Sequence, residues 1–231
     1  MKIIFTDIYN LGDALDQPKP ANQVIPEWYK KINSYISGKK IPTDTGEANS
    51  TIKKCMPVFD AITAGYIIKS AADLYVEKKE EGLYYKWSGL DLISFHSPDQ
   101  TTGHPAKIND ELNSSPKFIN PWSIKTPKGY SVLIIQPMHR ESPFTIMPGI
   151  VDTDTYTNPV NFPFTMNDKN WEGLIPAGTP IAQIIPFKRE NWKMQIGYEK
   201  EIQETIAIRN KFKTIFWDRY KRFYWNKKEY K

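Results

Sequence analysis

Cysteine is nearly missing from this chain. Cys55 is the only one in 231 residues, so no intrachain disulfide can form, and neither a zinc ribbon nor a CxxC redox pair can be built. A reducing interior is the expected home. Histidine is almost as scarce, with only His96, His104 and His139. No apolar run approaches membrane-spanning length, and Met1-Lys-Ile-Ile-Phe-Thr-Asp7 is broken too early to be a signal core. Phosphate-binding Walker loops, GxSxG elbows, HExxH helices and EF-hand loops are all missing, and Cys55 has no histidine near it in sequence. There is no internal repeat and no low-complexity tract. These absences exclude the common catalytic frameworks and leave a soluble protein, free in a cell interior or assembled into a particle there.

Proline and aromatic residues are well represented instead. Eighteen prolines and 13% aromatics favour strands and turns over helix bundles. The length suits one domain with a sizeable core. It divides into an N-terminal strand, helix and loop over 1–54, a β core over 55–192, and a basic aromatic helix over 193–231. The formal charge of +5 is concentrated in that last part: from Glu199 to Lys231 there are ten Lys/Arg against five Asp/Glu. The rest of the chain is neutral overall, so the charge alone does not indicate nucleic acid.

Along the chain, residues 1–9 read as a strand. Pro18, Pro20 and Pro26 precede a short amphipathic helix in which Trp28, Ile32, Tyr35 and Ile36 recur at helical spacing. Residues 37–50 and 97–120 read as loops, rich in turn residues. Short apolar runs fill 55–87, with a hairpin expected at Lys78-Lys-Glu-Glu-Gly82 and a strand at Asp91–Phe95. Strands are densest over 122–192: Trp122–Lys125, Tyr130–Ile135, Phe144–Met147, Val160–Phe164 and Pro180–Phe187. Prolines within Val160–Phe164 suggest an edge strand or a bulge. Beyond Trp192, Ile202, Ile206, Ile208, Phe212, Ile215, Phe216 and Phe223 approximate one apolar helix face.

Two segments carry a resemblance. Gly149-Ile-Val-Asp-Thr-Asp-Thr-Tyr156 is similar to the Gly-Val-Ile-Asp-x-Asp-Tyr unit of dUTPases and dCTP deaminases, with one additional residue before the tyrosine. Gly178-Thr-Pro-Ile-Ala-Gln-Ile184 is similar to that family's Gly-Asp-Arg-Ile-Ala-Gln-Leu. The resemblance implies a dUTPase-like β-clip or β-sandwich core, with Asp152 as the water-activating carboxylate, Tyr156 against a deoxyribose, Gln183 as a further site residue, and magnesium to neutralise a triphosphate. Asp154, His139 and Arg140 would then be binding residues. The family's Arg-Ser-Ser segment is replaced by Gln136-Pro-Met-His-Arg140, and its glycine-rich closing arm by the basic aromatic helix. Thr-Pro-Lys-Gly-Tyr-Ser-Val-Leu133, Pro-Gly-Ile-Val-Asp-Thr-Asp154 and Phe-Pro-Phe-Thr-Met-Asn167 also resemble an uncharacterised family of phage and bacterial proteins. That kinship implies a viral origin, in the host cytoplasm or the virion, and no particular chemistry.

Two further groupings remain. His96, His104 and His139 could hold iron or zinc for a metal oxygenase only if the fold gathers them. Trp217, Arg219, Tyr220, Phe223, Tyr224 and Trp225 interleave rings and cations, a composition suited to a protein interface, with nucleic acid the less favoured partner. Asp152 and Asp154 point to the same side of an extended segment, and would repel unless a cation or backbone donors bridge them. The expectation is therefore a mainly β, non-enzymatic binding or assembly protein, a homo-oligomer or a partner of other viral proteins, needing no cofactor. A deoxynucleotide hydrolase or deaminase is the alternative.

Overall fold

A computed structural model describes residues 1–43, 46–104, 115–214 and 220–231. The strands are β1 (Ile4–Asp7), β2 (Lys19–Pro20), β3 (Pro42–Thr43), β4 (Gly46–Glu47), β5 (Tyr66–Lys69), β6 (Leu74–Lys79), β7 (Gly82–Trp87), β8 (Ile93–His96), β9 (Ser115–Phe118), β10 (Trp122–Lys125), β11 (Tyr130–Ile135), β12 (Phe144–Ile146), β13 (Gly149–Val151), β14 (Phe162–Met166), β15 (Gly173–Ile175) and β16 (Pro180–Lys188). The α-helices are α1 (Glu27–Lys31), α2 (Met56–Thr63), α3 (Pro98–Thr101) and α4 (Glu199–Thr214). A π-helical turn follows at Tyr220–Tyr224. The class is mainly β, with a short N-terminal helix and a C-terminal helix, as the sequence suggests.

Two sheets frame the core. One runs in the order β13-β11-β16-β5-β2, the other β12-β14-β9-β8. Alternation along β14 sends Phe162 and Phe164 inward, where Phe164 stacks on Phe118 at 4.4 Å between ring centroids and meets Phe144 edge-on at 5.7 Å. Val132, Ile134, Ile181 and Ile184 complete the same cluster from β11 and β16. Burial of such side chains contributes roughly 1.5–3 kcal/mol each.

Several local expectations meet a different tertiary outcome. Residues 56–63 form a helix, with proline in its first turn, where a missing N–H costs nothing. Helix α1 stops at Lys31, because Ile32 is already extended. The 97–120 segment, expected as loop, contains α3 and β9, and β9 is an inner strand; its residues 105–114 fall outside the described set. The 37–50 loop holds the two-residue pair β3–β4. Strand β14 is also an inner strand: β9 pairs with Phe162 and Pro163, while β12 pairs with Phe164, Thr165 and Met166. Pro163 sits where one partner hands over to the other: its carbonyl accepts the Met147 N–H at 2.7 Å, and with no N–H to return, the ladder with β12 stops there.

The expected hairpin is present, with β6 and β7 joined through Glu80 and Glu81 and Lys79 opposite Gly82. Gly65, between α2 and β5, lies tight against the main chain of β16. Its φ is +67°, and a Cβ there would strike the Ile184 carbonyl, with the carbonyl carbon at 2.9 Å.

Candidate functional site

The Asp152–Asp154 segment is built by register. Val132 faces Val151 across β11 and β13, so the next residue, Asp152, comes opposite Ser131, and the Ser131 hydroxyl donates to Asp152 Oδ1 at 2.6 Å. Tyr130 faces Lys188 across β11 and β16, so Arg189 arrives beside Gly129, whose carbonyl accepts the Arg189 N–H at 2.8 Å. The guanidinium then reaches both acids. It forks onto Asp154 at 2.9 and 2.5 Å and lies 3.2 Å from Asp152 Oδ1. The Gly129 N–H adds a 2.8 Å bond to Asp154. Thr126 and Thr153 join hydroxyls at 2.8 Å beneath this pair. The bridging cation that two neighbouring acids require is therefore Arg189, a residue the sequence motifs did not single out.

The two acids differ in setting. The Asp154 side chain is 3% exposed and that of Asp152 60%. Bonding to the Arg189 guanidinium, and then to the Gly129 N–H, lowers the Asp154 carboxyl to a pKa of about 2. The same pairing raises the pKa of Arg189. Asp154 is thus a latch joining the β10–β11 turn, the turn after β13 and the end of β16. Main-chain bonds from the Thr155 and Tyr156 N–H groups to the Asp152 carbonyl curl the chain after it. Tyr156 is half-exposed.

Gln183 lies elsewhere. It faces Ile135 in the register that sets Phe187 opposite Ser131, four residues or about 13 Å along the strand from the Asp152 end. Its amide is buried, accepting from the Met138 N–H at 2.9 Å and donating to the Ala61 and Ala64 carbonyls at 2.9 and 2.7 Å. Those carbonyls belong to the C-terminus of α2, where helical partners run out. Gln183 therefore does not join Asp152 and Tyr156, and acts as a helix cap.

Grooves open on the surface among the described residues. One, of about 480 Å³, is lined by His96, Lys117, Gly149, Val151, Tyr156 and Asn161 among others. The second, of about 560 Å³, lies between Trp28 and the 136–141 loop and includes His139 and Arg140. Neither Asp152 nor Asp154 lines either groove. His139 takes a positive φ of 55°, and its carbonyl accepts the Trp28 indole N–H. Arg140 donates to the Val24 carbonyl, and burial lowers its pKa. The histidines come from different elements: His96 from the end of β8, His104 after α3, and His139 from the loop after β11. No three His, Cys, Asp or Glu side chains among the described residues are grouped to hold a metal. The single Arg189 guanidinium balances one of the two negative charges of Asp152 and Asp154, and the Asp152 side chain stays largely exposed.

The C-terminal candidates divide. Trp217 and Arg219 lie outside the described residues. Tyr220, Phe223 and Tyr224 are exposed. Trp225 folds back, its indole N–H shared by the two Asp60 carboxylate oxygens at 3.0 and 2.9 Å, and Lys228 pairs with the same carboxylate at 2.6 Å. Tyr230 meets Tyr66 edge-on. No described helix is long and apolar enough to cross a membrane.

The chain is thus an antiparallel β protein carrying a salt-bridged turn and an extended C-terminal arm. No protein-family model matches it, and no curated protein does either. Solved structures similar to it at a distance include three phage dUTPases. A dUTPase variant of Staphylococcus bacteriophage 80alpha, solved with dUpNHpp, has 12% identity and a TM-score of 0.39, over 86% of this chain and 89% of that chain. A variant dUTPase from phage phi11 of S. aureus, described for its coordination of a structural Mg(II) ion, has 11% identity and a TM-score of 0.39, over 87% and 99%. A further phage 80alpha dUTPase variant, studied for SaPI inducing capacity, has 12% identity and a TM-score of 0.38, over 86% and 90%.

Proposed function

We propose that this protein is a virus-encoded, non-enzymatic assembly module that self-associates through its C-terminal arm. The observation that carries this reading is the exposure of apolar groups along 192–208 and again at Tyr220, Phe223 and Tyr224. Trp192 is 87% exposed, Met194 86% and Phe223 66%, and Ile196, Tyr198, Ile202, Ile206 and Ile208 are exposed between them. Every residue from Glu199 to Asn210 is exposed. A 16-residue helix is marginal in water on its own helical propensity, and an apolar surface of this extent marks a contact with another molecule.

A second copy of the chain is the partner that fits. The arm carries the whole positive excess while the body is neutral, so an arm laid on a neighbouring body avoids the like-charge repulsion that arm against arm would meet. Hydrolysis of a deoxynucleotide has less support. Arg189 and Ser131 occupy Asp152 Oδ1, and in the segment that replaces the family's serines the Met138 N–H is taken by Gln183.

The test is the solution mass of a variant carrying both Ile202→Glu and Ile206→Glu. Both positions are exposed, so the body should fold unchanged. The expected result is an oligomeric parent and a monomeric variant. A monomeric parent, or an assembly indifferent to the two glutamates, would overturn the reading.

A further inference from the structure

Strands β8 and β9 carry a polar cluster that the assembly reading does not use. Ser94 stands opposite Lys117 and His96 opposite Ser115. Alternation sends Ile93 and Phe118 into the core, so Ser94, His96, Ser115 and Lys117 share the other face of the sheet. Directly opposed residues have Cβ atoms about 5 Å apart, and diagonal ones about 7–8 Å. The four side chains therefore rise from the corners of one small quadrilateral.

Two of the four are unsatisfied. The Ser94 and Ser115 hydroxyl oxygens are shielded from solvent, and neither has a hydrogen-bond partner among the described residues. Ser115 is 1% exposed. A shielded hydroxyl normally finds a partner, and two exceptions at diagonal corners of one face, with a lysine at a third, mark a place for an outside hydrogen-bond acceptor. The other two corners, Lys117 and His96, line the groove of about 480 Å³. His96 Nδ1 lies 3.0 Å from Gln100 Oε1. That oxygen also accepts the Ser97 N–H, so Nδ1 is the donor and Nε2 is the ring's remaining polar atom.

We propose that Ser94, His96, Ser115 and Lys117 form an oxyanion site at the side of this groove, taking a carboxylate or phosphate group. The two hydroxyls and the Lys117 ammonium would donate to its oxygens. His96 Nε2 would face a further oxygen of the group. Asp152 and Asp154 are turned away onto Arg189, and among the described residues no carboxylate side chain lines the groove to repel the anion.

Amide NMR titration of the full chain with inorganic phosphate, and separately with acetate, tests this against sodium chloride at matched ionic strength. The expected result is a saturable shift of the Ser94, His96, Ser115 and Lys117 amides with at least one oxyanion and none with chloride. The anion that saturates at lower concentration identifies the ligand class. Lys117→Met should weaken that binding tenfold or more, Lys117→Arg should retain it, and Ser94→Ala with Ser115→Ala should weaken it several-fold, with the remaining spectrum unchanged in each. Shifts that follow salt alone, or binding that survives Lys117→Met undiminished, would overturn the proposal.

Discussion

Arg189 shows how one residue can decide what a motif does. Asp152 and Asp154 would repel each other if left alone, and a side chain 35 residues beyond Asp154 converts them into a fastening. The Asp154 carboxyl, at about 2, lies below the ordinary aspartate value of about 3.9. A carboxylate whose folded-state pKa is depressed contributes stability that is present above its unfolded value and lost as pH falls through the folded one. Asp154 should thus contribute fully above about pH 4 and progressively less towards pH 2. Thermal unfolding should show the parent losing stability more steeply than Asp154→Asn across that window, with the two curves converging at its acid end. Parallel curves would mean that the latch is not the source of the shift. The acids were legible in the sequence as a pair needing a bridge, but its identity was not.

At the scale of elements, Gln183 is the instructive case. A glutamine inside the apolar run Pro180–Phe187 needs a buried partner, and that signal was available from the sequence. The family resemblance instead suggested a substrate-facing role. In the folded chain it holds α2, β16 and the 136–141 loop together through three hydrogen bonds. Gln183→Leu keeps the volume roughly and strands the Met138 N–H and two carbonyls. The expected loss is about 3 kcal/mol or more, since each buried orphan costs about 1–3 kcal/mol. Chemical denaturation measures it, and a loss below about 1 kcal/mol would refute the capping role. The order of β12, β14 and β9 was not legible either, because proline in a strand ordinarily signals an edge. Only the handover at Pro163 shows how an inner strand accommodates it.

At the scale of the whole molecule, the arm leaves the sheet after β16 and returns to the body near its end. Asp60 on α2 is the anchor, receiving Trp225 and Lys228, and Asn22 and Tyr66 donate to the carbonyls of Tyr230 and Lys231. Asp60→Ala should cost about 2 kcal/mol, the scale of hydrogen bonds to a charged group. It should also speed hydrogen exchange of the residue 225 amide. Unchanged exchange would show that the terminus is held by other contacts. The aromatic composition of the tail pointed to packing or an interface, and the final seven residues include packing contacts while Tyr220, Phe223 and Tyr224 before them are exposed.

Local chemistry determined the mainly β class, the β6–β7 hairpin and the helical character of the arm. Strand alternation, glycine conformation and turn residues act within a few positions of themselves, so a sequence displays them directly. Tertiary structure alone decided that Arg189 bridges the two acids, that Gln183 caps a helix more than a hundred residues away, that Pro163 lies inside a sheet, and that two serines from β8 and β9 stand unsatisfied beside Lys117. These outcomes depend on register between strands distant in sequence, where one position of slip would turn every side chain to the opposite face.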